Sequence, residues 1–257
     1  MTDSATEPMS QTTRGIARPR VIAHRGASAD APENTIAAFE LAISQGAEGI
    51  ELDVHLSKDD QLVVIHDFTL DRTTEGFGPV RARTVRELKR LDAGGWRGDA
   101  FRGQRIQTLH EVLERFRERT AFWVEVKGGT DVYPGIEERV LSAIEVYDVV
   151  ERTLVQSFDD TVLRRIRNLN DAARVGSVIT RPTWSRERGL LQAICPEAGL
   201  LDGEKVAEIL DAGLECYPWT VNEPALMDRL VDCRVSGIIT DRPALLRDRL
   251  ARWDPAV

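Results

Sequence analysis

The stretch Gly49-Ile50-Glu51-Leu52-Asp53-Val54 has the pattern of a β-strand, because apolar and acidic residues alternate along it with a period of two. Such alternation is also typical of a strand that has one face in water. The flanking sequence favours a buried α/β unit instead, and a second short strand over residues 61–65 ends at His66-Asp67. Two carboxylates on one face, directed toward a histidine, indicate a metal site or an acid/base pair.

Strand and helix patterns alternate on both sides of this stretch. A strand over 21–23 is followed by a helix over 35–45, with Asn34 as its predicted N-cap, and the pattern then recurs along the chain. Eight parallel strands with helices in ~230 residues favour an α/β fold of the (β/α)8 TIM-barrel class. No G-x-G-x-x-G follows the first strand, which argues against the usual dinucleotide site. The predicted strands are 21–23, 49–54, 122–126, 153–156, 174–178, 190–194, 214–221 and 236–239.

The domain organisation follows from the remaining segments. Residues 68–107 are glycine-rich and too long for an ordinary loop between a strand and a helix. We interpret them as a small insertion between strand 2 and helix 2, an inserted subdomain over the barrel mouth. The barrel domain as a whole spans 21–252. Residues 1–20 are polar and have no apolar run, which predicts a disordered N-terminal tail and not a signal peptide.

Composition limits the classes of function. The chain has 34 basic and 42 acidic residues among 257, a formal net charge of −8, which argues against a nucleic-acid-binding protein. No run approaches the ~18 apolar residues of a membrane span, so we expect no stable membrane insertion. Cys195, Cys216 and Cys233 are odd in number and widely spaced, and we expect free thiols in a reducing, cytoplasmic compartment. The oligomeric state is left open.

Three acidic residues are predicted to form a metal site. In a (β/α)8 barrel the active site lies at the carboxyl ends of the strands, and Glu51, Asp53 and Glu125 all lie at such ends. Without a cation, three close carboxylates would repel one another and raise one another's pKa. An all-oxygen set suits one hard divalent cation, Mg²⁺ or Ca²⁺. The competing interpretation is that one or more of them is an ion-paired or surface residue.

His24 and His66 follow different strands and could flank one reacting bond. Histidine exchanges protons near neutral pH, so the pair is the candidate catalytic set. A buried structural histidine is the alternative for each one alone. His55 shares the parity of Glu51 and Asp53. We place it beyond the strand end and give it no role.

The other candidate residues would contact substrate. Arg25 and Lys127 place two positive charges beside the carboxylates, where Arg makes bidentate oxyanion contacts and Lys a point contact. Three carboxylates, a divalent cation and these two side chains sum to +1, which matches a singly charged phosphodiester. Gln156 and Trp219 follow later strands. For Trp219, contact with substrate and plain core packing are both open.

At this point the sequence resembles the glycerophosphodiester phosphodiesterase family. The resemblance covers nearly all of residues 21–250, and the order of its motifs is more specific than any one of them. The main motifs are His24-Arg25-Gly26-Ala27, Pro32-Glu33-Asn34-Thr35, Gly49 to Val54, His66-Asp67, Asp71-Arg72-Thr73-Thr74, Glu125-Val126-Lys127, Trp219 to Asn222 and Gly237 to Pro243.

The resemblance implies a barrel with an inserted subdomain, a divalent cation on the three carboxylates, acid/base roles for His24 and His66, and phosphate contacts from Arg25 and Lys127. It adds the substrate class, a small glycerophosphodiester hydrolysed to glycerol 3-phosphate and an alcohol. One alternative keeps this chemistry with a lysophospholipid as substrate, a lysophospholipase D-type reaction. That alternative needs an apolar surface near 68–107, where the sequence offers only Phe77, Trp96 and Phe101. A second alternative is a barrel kept as a non-enzymatic scaffold.

Overall fold

A parallel sheet forms the centre of the molecule. The computed structural model describes residues 18–181, 183 and 189–253. Two short strands, β3 (Leu62–Val64) and β4 (Gln107–Thr108), pair with each other antiparallel. β3 also pairs antiparallel with the barrel strand β2 (Gly49–Leu56). In the described part of the chain the parallel strands are β1 (Arg20–His24), β2 (Gly49–Leu56), β5 (Ala121–Val126), β6 (Thr153–Ser157), β7 (Arg174–Ile179), β8 (Ala193–Pro196), β9 (Glu215–Cys216) and β10 (Gly237–Thr240).

The sheet closes into a barrel. Its strand order is β10-β1-β2-β5-β6-β7-β8-β9, so β9 and β10 are the two ends of the path. Backbone hydrogen bonds join these ends, from Ser236 N–H to the Cys216 carbonyl at 3.0 Å and from Ile239 N–H to the Pro218 carbonyl at 3.0 Å. The predicted (β/α)8 barrel is therefore confirmed.

Helices connect most consecutive barrel strands. The first one begins after Thr35, whose side chain accepts a hydrogen bond from Ala38 N–H, so Thr35 and not Asn34 is the N-cap. Between β7 and β8 the described residues contain no helix, and 182 and 184–188 lie outside them. The helices of the described residues are α1 (Ile36–Ser44), α2 (Val85–Leu88), α3 (Leu109–Phe116), α4 (Gly129–Val132), α5 (Ile136–Val146), α6 (Asp160–Leu169), α7 (Gly203–Asp211), α8 (Pro224–Asp232) and α9 (Pro243–Leu250).

The apolar core has two layers around the barrel strands. The larger cluster joins the strands to the helices, whereas a smaller one takes residues from the other strand face and fills the barrel interior. Trp123 is its largest member, and it lies directly over Gly49, where an added Cβ would approach the indole ring to 2.3 Å. Two residues beyond Trp123 on the same face of β5 comes Glu125, because side chains on one strand face repeat every second residue. The apolar floor therefore leads directly into the polar end of the barrel.

Residues 68–107 build a small apolar cluster of their own with β3. The described part of this segment includes α2 and β4, and its buried side chains include Leu70, Val80, Leu88 and Ile106. That the segment forms an inserted subdomain over the barrel mouth stays a prediction.

Several predicted boundaries were wrong. The strand predicted over 214–221 is only Glu215–Cys216, because Pro218 has no N–H to donate to a ladder. The strand predicted over 190–194 is shifted to Ala193–Pro196, since short apolar runs do not fix their own boundaries. β1 begins at Arg20, inside the predicted tail, and residues 1–17 of that tail lie outside the described residues.

Candidate active site

Three buried carboxylates meet at the carboxyl end of the barrel. Glu51 and Asp53 lie on β2, and Asp53 is the register partner of Glu125 on β5. The three residues are 2%, 1% and 7% exposed, respectively, and one oxygen from each lies within 4.8 Å of the others. The polar face of residues 49–54 therefore lies inside the barrel. Such an all-oxygen cluster can hold a hard cation.

Two positively charged side chains lie against this cluster. Lys127 Nζ lies 3.0 Å from Asp53 Oδ1 and 2.5 Å from Glu125 Oε1. Arg25 Nε lies 3.4 Å from Asp53 Oδ2, and the Arg25 backbone N–H donates to Glu51 Oε2 at 3.0 Å. Two positive charges therefore face three carboxylates, which leaves an excess of one negative charge.

The pKa values of the three carboxyls diverge because their neighbours differ. Burial raises the pKa of Glu51 well above its usual range, and Asp53 and Glu125 add to this effect. Burial and the charge of Asp53 raise the pKa of Glu125 to about 7. Burial would also raise the pKa of Asp53, but Lys127 and Arg25 hold it below its usual range. Burial and the neighbouring carboxylates therefore disfavour the ionised forms of Glu51 and Glu125.

Two amide side chains complete the carboxylate cluster. Asn34 Nδ2 donates to Asp53 Oδ2 at 2.8 Å, and Asn34 takes up a left-handed backbone conformation with φ 57° just before α1. Gln156 Nε2 donates to Glu51 Oε1 at 3.4 Å, and Gln156 is the register partner of Glu125. Asn34 was predicted to cap the helix; it binds a candidate metal ligand instead.

His24 is held through one ring nitrogen. Its Nδ1 lies 2.7 Å from Oδ1 of Asp241, which is the residue immediately after β10. Ser28 Oγ–H donates to the same oxygen at 2.8 Å, and Asn222 Nδ2 donates to Asp241 Oδ2 at 2.5 Å. A carboxylate only accepts hydrogen bonds, so His24 Nδ1 carries the proton and Nε2 is free to exchange one.

His66 is held in the same way by a different aspartate. Its Nδ1 lies 2.7 Å from Oδ1 of the adjacent Asp67, and Arg72 Nε donates to Asp67 Oδ2 at 2.7 Å. Burial lowers the pKa of His66, although Asp53 and Asp67 oppose this effect. Both histidines line the cavity, and because Nδ1 of each is bound to an aspartate, Nε2 is the ring nitrogen left to exchange a proton.

The prediction that His55 lies beyond the strand end was wrong. His55 belongs to β2 and is fully buried. Its ring bridges two groups, with Nδ1 2.9 Å from the Tyr133 hydroxyl and Nε2 3.0 Å from the His66 carbonyl oxygen. Burial lowers the pKa of His55 to about 4, so the ring is neutral at pH 7. The hydrogen bond at Nε2 anchors the backbone of His66, and the one at Nδ1 holds the ring against Tyr133.

A cavity of about 130 Å³ brings the predicted residues together. Its charged side carries both histidines, two of the carboxylates, Arg25 and Lys127, whereas Asp53 lies just behind them. Its other side is apolar and includes Trp219, whose indole N–H donates to the Cys195 carbonyl at 2.8 Å and whose ring meets that of Phe158 edge-on at 5.7 Å. The lining residues are His24, Arg25, Glu51, His66, Glu125, Lys127, Gln156, Phe158, Val178, Trp219 and Ile239.

Sequence reasoning missed several residues around this cavity. Asp241 and Asp67 were given no part, although each directly follows or adjoins a predicted strand end. Phe158 comes two residues after Gln156 and shares its strand parity, which is the signal that could have found it. No signal in the sequence singles out Asn34 as a partner of Asp53.

The fold and the site define an enzyme of the (β/α)8-barrel class, with its polar groups at the carboxyl ends of the strands. Comparison with known proteins makes this class specific. Residues 24–245 match the model of the glycerophosphoryl diester phosphodiesterase family. A glycerophosphodiester phosphodiesterase from Caldanaerobacter subterraneus subsp. tengcongensis is 42% identical over 231 residues, covering 88% of this chain and 95% of the relative. One from Bacillus subtilis is 34% identical over 247 residues, covering 87% and 84%.

Solved structures agree with this match. A glycerophosphodiester phosphodiesterase from Agrobacterium tumefaciens superposes with a TM-score of 0.80 at 32% identity, covering 90% of this chain and 99% of the other. An Oleispira antarctica phosphodiesterase, solved in complex with the product sn-glycerol-3-phosphate, superposes with a TM-score of 0.82 at 30% identity, covering 91% and 97%. The chain belongs to the glycerophosphoryl diester phosphodiesterase family. Among the described residues, no helix is both long and apolar enough to cross a membrane.

Proposed function

We propose that this protein hydrolyses glycerophosphodiesters to glycerol 3-phosphate and an alcohol, with one divalent cation and two histidines. The observation that carries the proposal is the cavity itself, in which a cluster of buried carboxylates faces two histidines that are each bound through Nδ1 to an aspartate. The Oleispira antarctica relative bound to sn-glycerol-3-phosphate supports the same product for this chain.

The cation would be held by Glu51, Asp53 and Glu125. These residues fit it, because burial first and the charges of the neighbouring carboxylates second disfavour the ionised forms of Glu51 and Glu125, and a bound cation offsets both effects. The oxygen-only donor set suits Mg²⁺ or Ca²⁺. When bound, such a cation supplies Lewis-acid stabilisation of the charge that develops on the phosphoryl group.

Arg25 and Lys127 would hold the phosphate. Both side chains line the cavity and keep donors for it: the contacts to Asp53 and Glu125 use two of the three ammonium hydrogens of Lys127. Gln156 would contribute a further polar contact. Trp219 would pack against the carbon skeleton of the glycerol or of the alcohol, since it lines the apolar side of the cavity.

His24 and His66 would move the protons. Because Nδ1 of each ring is bound to an aspartate, proton exchange takes place at Nε2. One Nε2 accepts the proton of the attacking oxygen, and the other donates a proton to the leaving alcohol oxygen. The attacking oxygen is that of water or of a hydroxyl of the substrate's own glycerol. In the second case the departing alcohol leaves a cyclic phosphodiester, which a water molecule then opens to glycerol 3-phosphate.

Replacement of His66 tests the acid/base assignment. We expect His66→Ala to lower kcat by roughly 10²–10⁴-fold, the usual contribution of a general acid or base. The matched control is His110→Ala, because His110 lies at the start of α3 and outside the cavity lining. A folded His66→Ala protein with unchanged turnover would contradict the assignment.

The substrate class is tested by comparing soluble and lipid diesters. We expect faster release of glycerol 3-phosphate from glycerophosphocholine than turnover of micellar lysophosphatidylcholine. The reason is that Phe77 and Trp96, exposed by 72% and 42%, belong to a segment that contributes no residue to the cavity lining in the described part of the chain. Faster turnover of the lysolipid would instead support the lysophospholipase D-type reaction.

A further inference from the structure

Arg72 lies at the edge of the site and joins two loops. Its guanidinium donates to Asp67 through Nε at 2.7 Å. On its other side it donates to both oxygens of Glu33, at 2.6 and 2.8 Å. Asp67 follows β3, whereas Glu33 belongs to the loop between β1 and α1. One planar side chain thus fixes two loops relative to each other.

Each of the two carboxylates also binds a residue of the proposed machinery. Asp67 Oδ1 lies 2.7 Å from His66 Nδ1, and Glu33 Oε1 accepts from an Arg25 terminal nitrogen at 2.9 Å. The contacts therefore run without a break from His66 through Asp67, Arg72 and Glu33 to Arg25. Arg72 is the central link.

The arginine charges and hydrogen bonds keep the carboxylates of this chain of contacts ionised, although burial opposes ionisation. The Glu33 side chain is only 11% exposed, and burial would raise its pKa, but Arg72 and Arg25 hold that pKa below the usual range. The hydrogen bond from Arg72 is the main reason that the pKa of Asp67 is lowered to about 2. Both carboxylates are thus anionic at neutral pH and accept hydrogen bonds from both of their partners.

We propose that Arg72 is a positioning residue, which holds the proton-exchanging His66 and the phosphate-binding Arg25 in one fixed relation. This inference rests on the proposed function. Arg is suited to the task because its planar guanidinium binds two carboxylates through a rigid set of donors, which the point charge of Lys cannot reproduce. Productive geometry in an active site depends on such supporting contacts, above all where the reacting groups lie on loops.

A simple surface ion pair is the competing interpretation, because the Arg72 side chain is 44% exposed and exposed ion pairs contribute little to stability. The chain contains a matched control. Arg119 also binds a glutamate through two nitrogens, Glu40 at 3.0 and 2.8 Å, and is 42% exposed, but it lies after α3 and away from the cavity. A role in positioning predicts different effects for the two arginines.

The first experiment compares Arg72→Lys with Arg119→Lys in the full chain. We expect Arg72→Lys to lower kcat/KM for glycerophosphocholine by roughly 10–100-fold, the range typical of residues that orient functional side chains. Arg119→Lys is expected to leave kcat/KM unchanged. Equal effects of the two substitutions would overturn the proposal.

The second experiment separates the contacts through Asp67 to His66 from the contacts through Glu33 to Arg25. We expect Asp67→Asn mainly to lower kcat, because it acts on His66, and Glu33→Gln mainly to raise KM, because it acts on Arg25. Arg72→Lys is expected to do both, and to cost nothing further when added to the Asp67→Asn/Glu33→Gln double variant. Fully additive losses would mean that Arg72 acts independently of Asp67 and Glu33, and would overturn the proposal.

A readout that does not depend on turnover is the Nδ1 proton of His66 in the NMR spectrum, assigned by its loss in His66→Ala. We expect it to shift or broaden in Arg72→Lys and to stay unchanged in Arg119→Lys, with the His24 signal unaffected in both. An unchanged His66 signal in Arg72→Lys would overturn the positioning role. If the unaltered enzyme cleaved no diester, the proposed function would fail, and this signal would still decide the role of Arg72.

Discussion

The Nδ1 atoms of His24 and His66 lie 2.7 Å from oxygens of Asp241 and Asp67, respectively. A carboxylate on Nδ1 fixes the tautomer and the orientation of the ring, and it stabilises the imidazolium that forms when Nε2 takes up a proton. Asp241 is itself held by Ser28 and Asn222, so its position is defined from two sides. The histidines are thus held by neighbours that do not line the cavity.

Asp241→Asn tests this dependence. We expect it to lower kcat by roughly 10–100-fold with little change in KM, because the ring of His24 loses its charged partner and its preferred tautomer. Steady-state kinetics with glycerophosphocholine measures the effect. Asp248→Asn, which alters an exposed ion pair on α9, is the control and should behave as the unaltered enzyme does. Unchanged kcat in Asp241→Asn would contradict the assignment of His24.

Much of the site could be predicted because strand ends are visible in a sequence. Glu51, Asp53 and Glu125 were found from strand parity and from the rule that places barrel sites at the carboxyl ends of strands. The partner of His24 was not found, since its hydrogen bond to Asp241, 217 positions away, depends on the closed barrel. Asp67 adjoins His66 in the sequence, but their contact depends on side-chain orientations that the sequence does not show. His55 was misplaced because the parity of a strand does not show where the strand ends.

At the scale of elements, β2 and β5 set the geometry of the carboxylate cluster. Their register pairs Gly49 with Ala121 at one end and Asp53 with Glu125 near the other. Trp123 fills the barrel interior beneath the cluster, and it fits only because Gly49 has no side chain. The floor of the barrel and the spacing of the candidate metal ligands are therefore linked through two strands.

Gly49→Ala is expected to destabilise the protein by about 1–3 kcal/mol, because the added methyl group overlaps the Trp123 ring. Urea unfolding followed by tryptophan fluorescence measures the change. Gly199→Ala is the control, since a Cβ at Gly199 meets no atom within 4 Å. Equal stability of the two variants would show that the packing of Trp123 on Gly49 is not tight.

The accuracy of the fold prediction also varies from element to element. β2 and β5 were predicted closely because their patterns are long and regular. β9 was predicted too long, since the continuous ladder ends at Cys216 and the mostly buried run from Tyr217 to Val221 continues the pairing only through single backbone hydrogen bonds and one isolated bridge. Apolar sequence specifies burial there, and Pro218 limits the hydrogen bonding.

At the scale of the whole molecule, the ionised carboxylates around the site make the free energy of unfolding depend on pH in the acidic range. The pKa of Asp67 is lowered to about 2, mainly by Arg72. Burial would raise the pKa of Asp241, but the hydrogen bonds from His24 and Asn222 lower it to about 2. A carboxyl with a lowered pKa contributes stability above its unfolded value near ~4, and this contribution is lost as the pH falls toward the folded value.

We therefore expect the stabilisation from these two aspartates to be present at pH 5 and to disappear between about pH 4 and pH 2. Urea unfolding of the unaltered protein and of the Asp67→Asn/Asp241→Asn double variant measures it at each pH. The difference in free energy of unfolding between the two proteins should narrow across the acidic range. A difference that stayed constant down to pH 2 would contradict the lowered pKa values.

The family, the fold and the site together support the proposal that this barrel cleaves glycerophosphodiesters with a cation at Glu51, Asp53 and Glu125. The most direct measurement is the release of glycerol 3-phosphate from a panel of glycerophosphodiesters in the presence of Mg²⁺, Ca²⁺ or EDTA. We predict release with at least one of the two cations, loss of release in EDTA and recovery when the cation is added back in excess. No release from any diester with either cation, or release at an undiminished rate in EDTA, would contradict the claim.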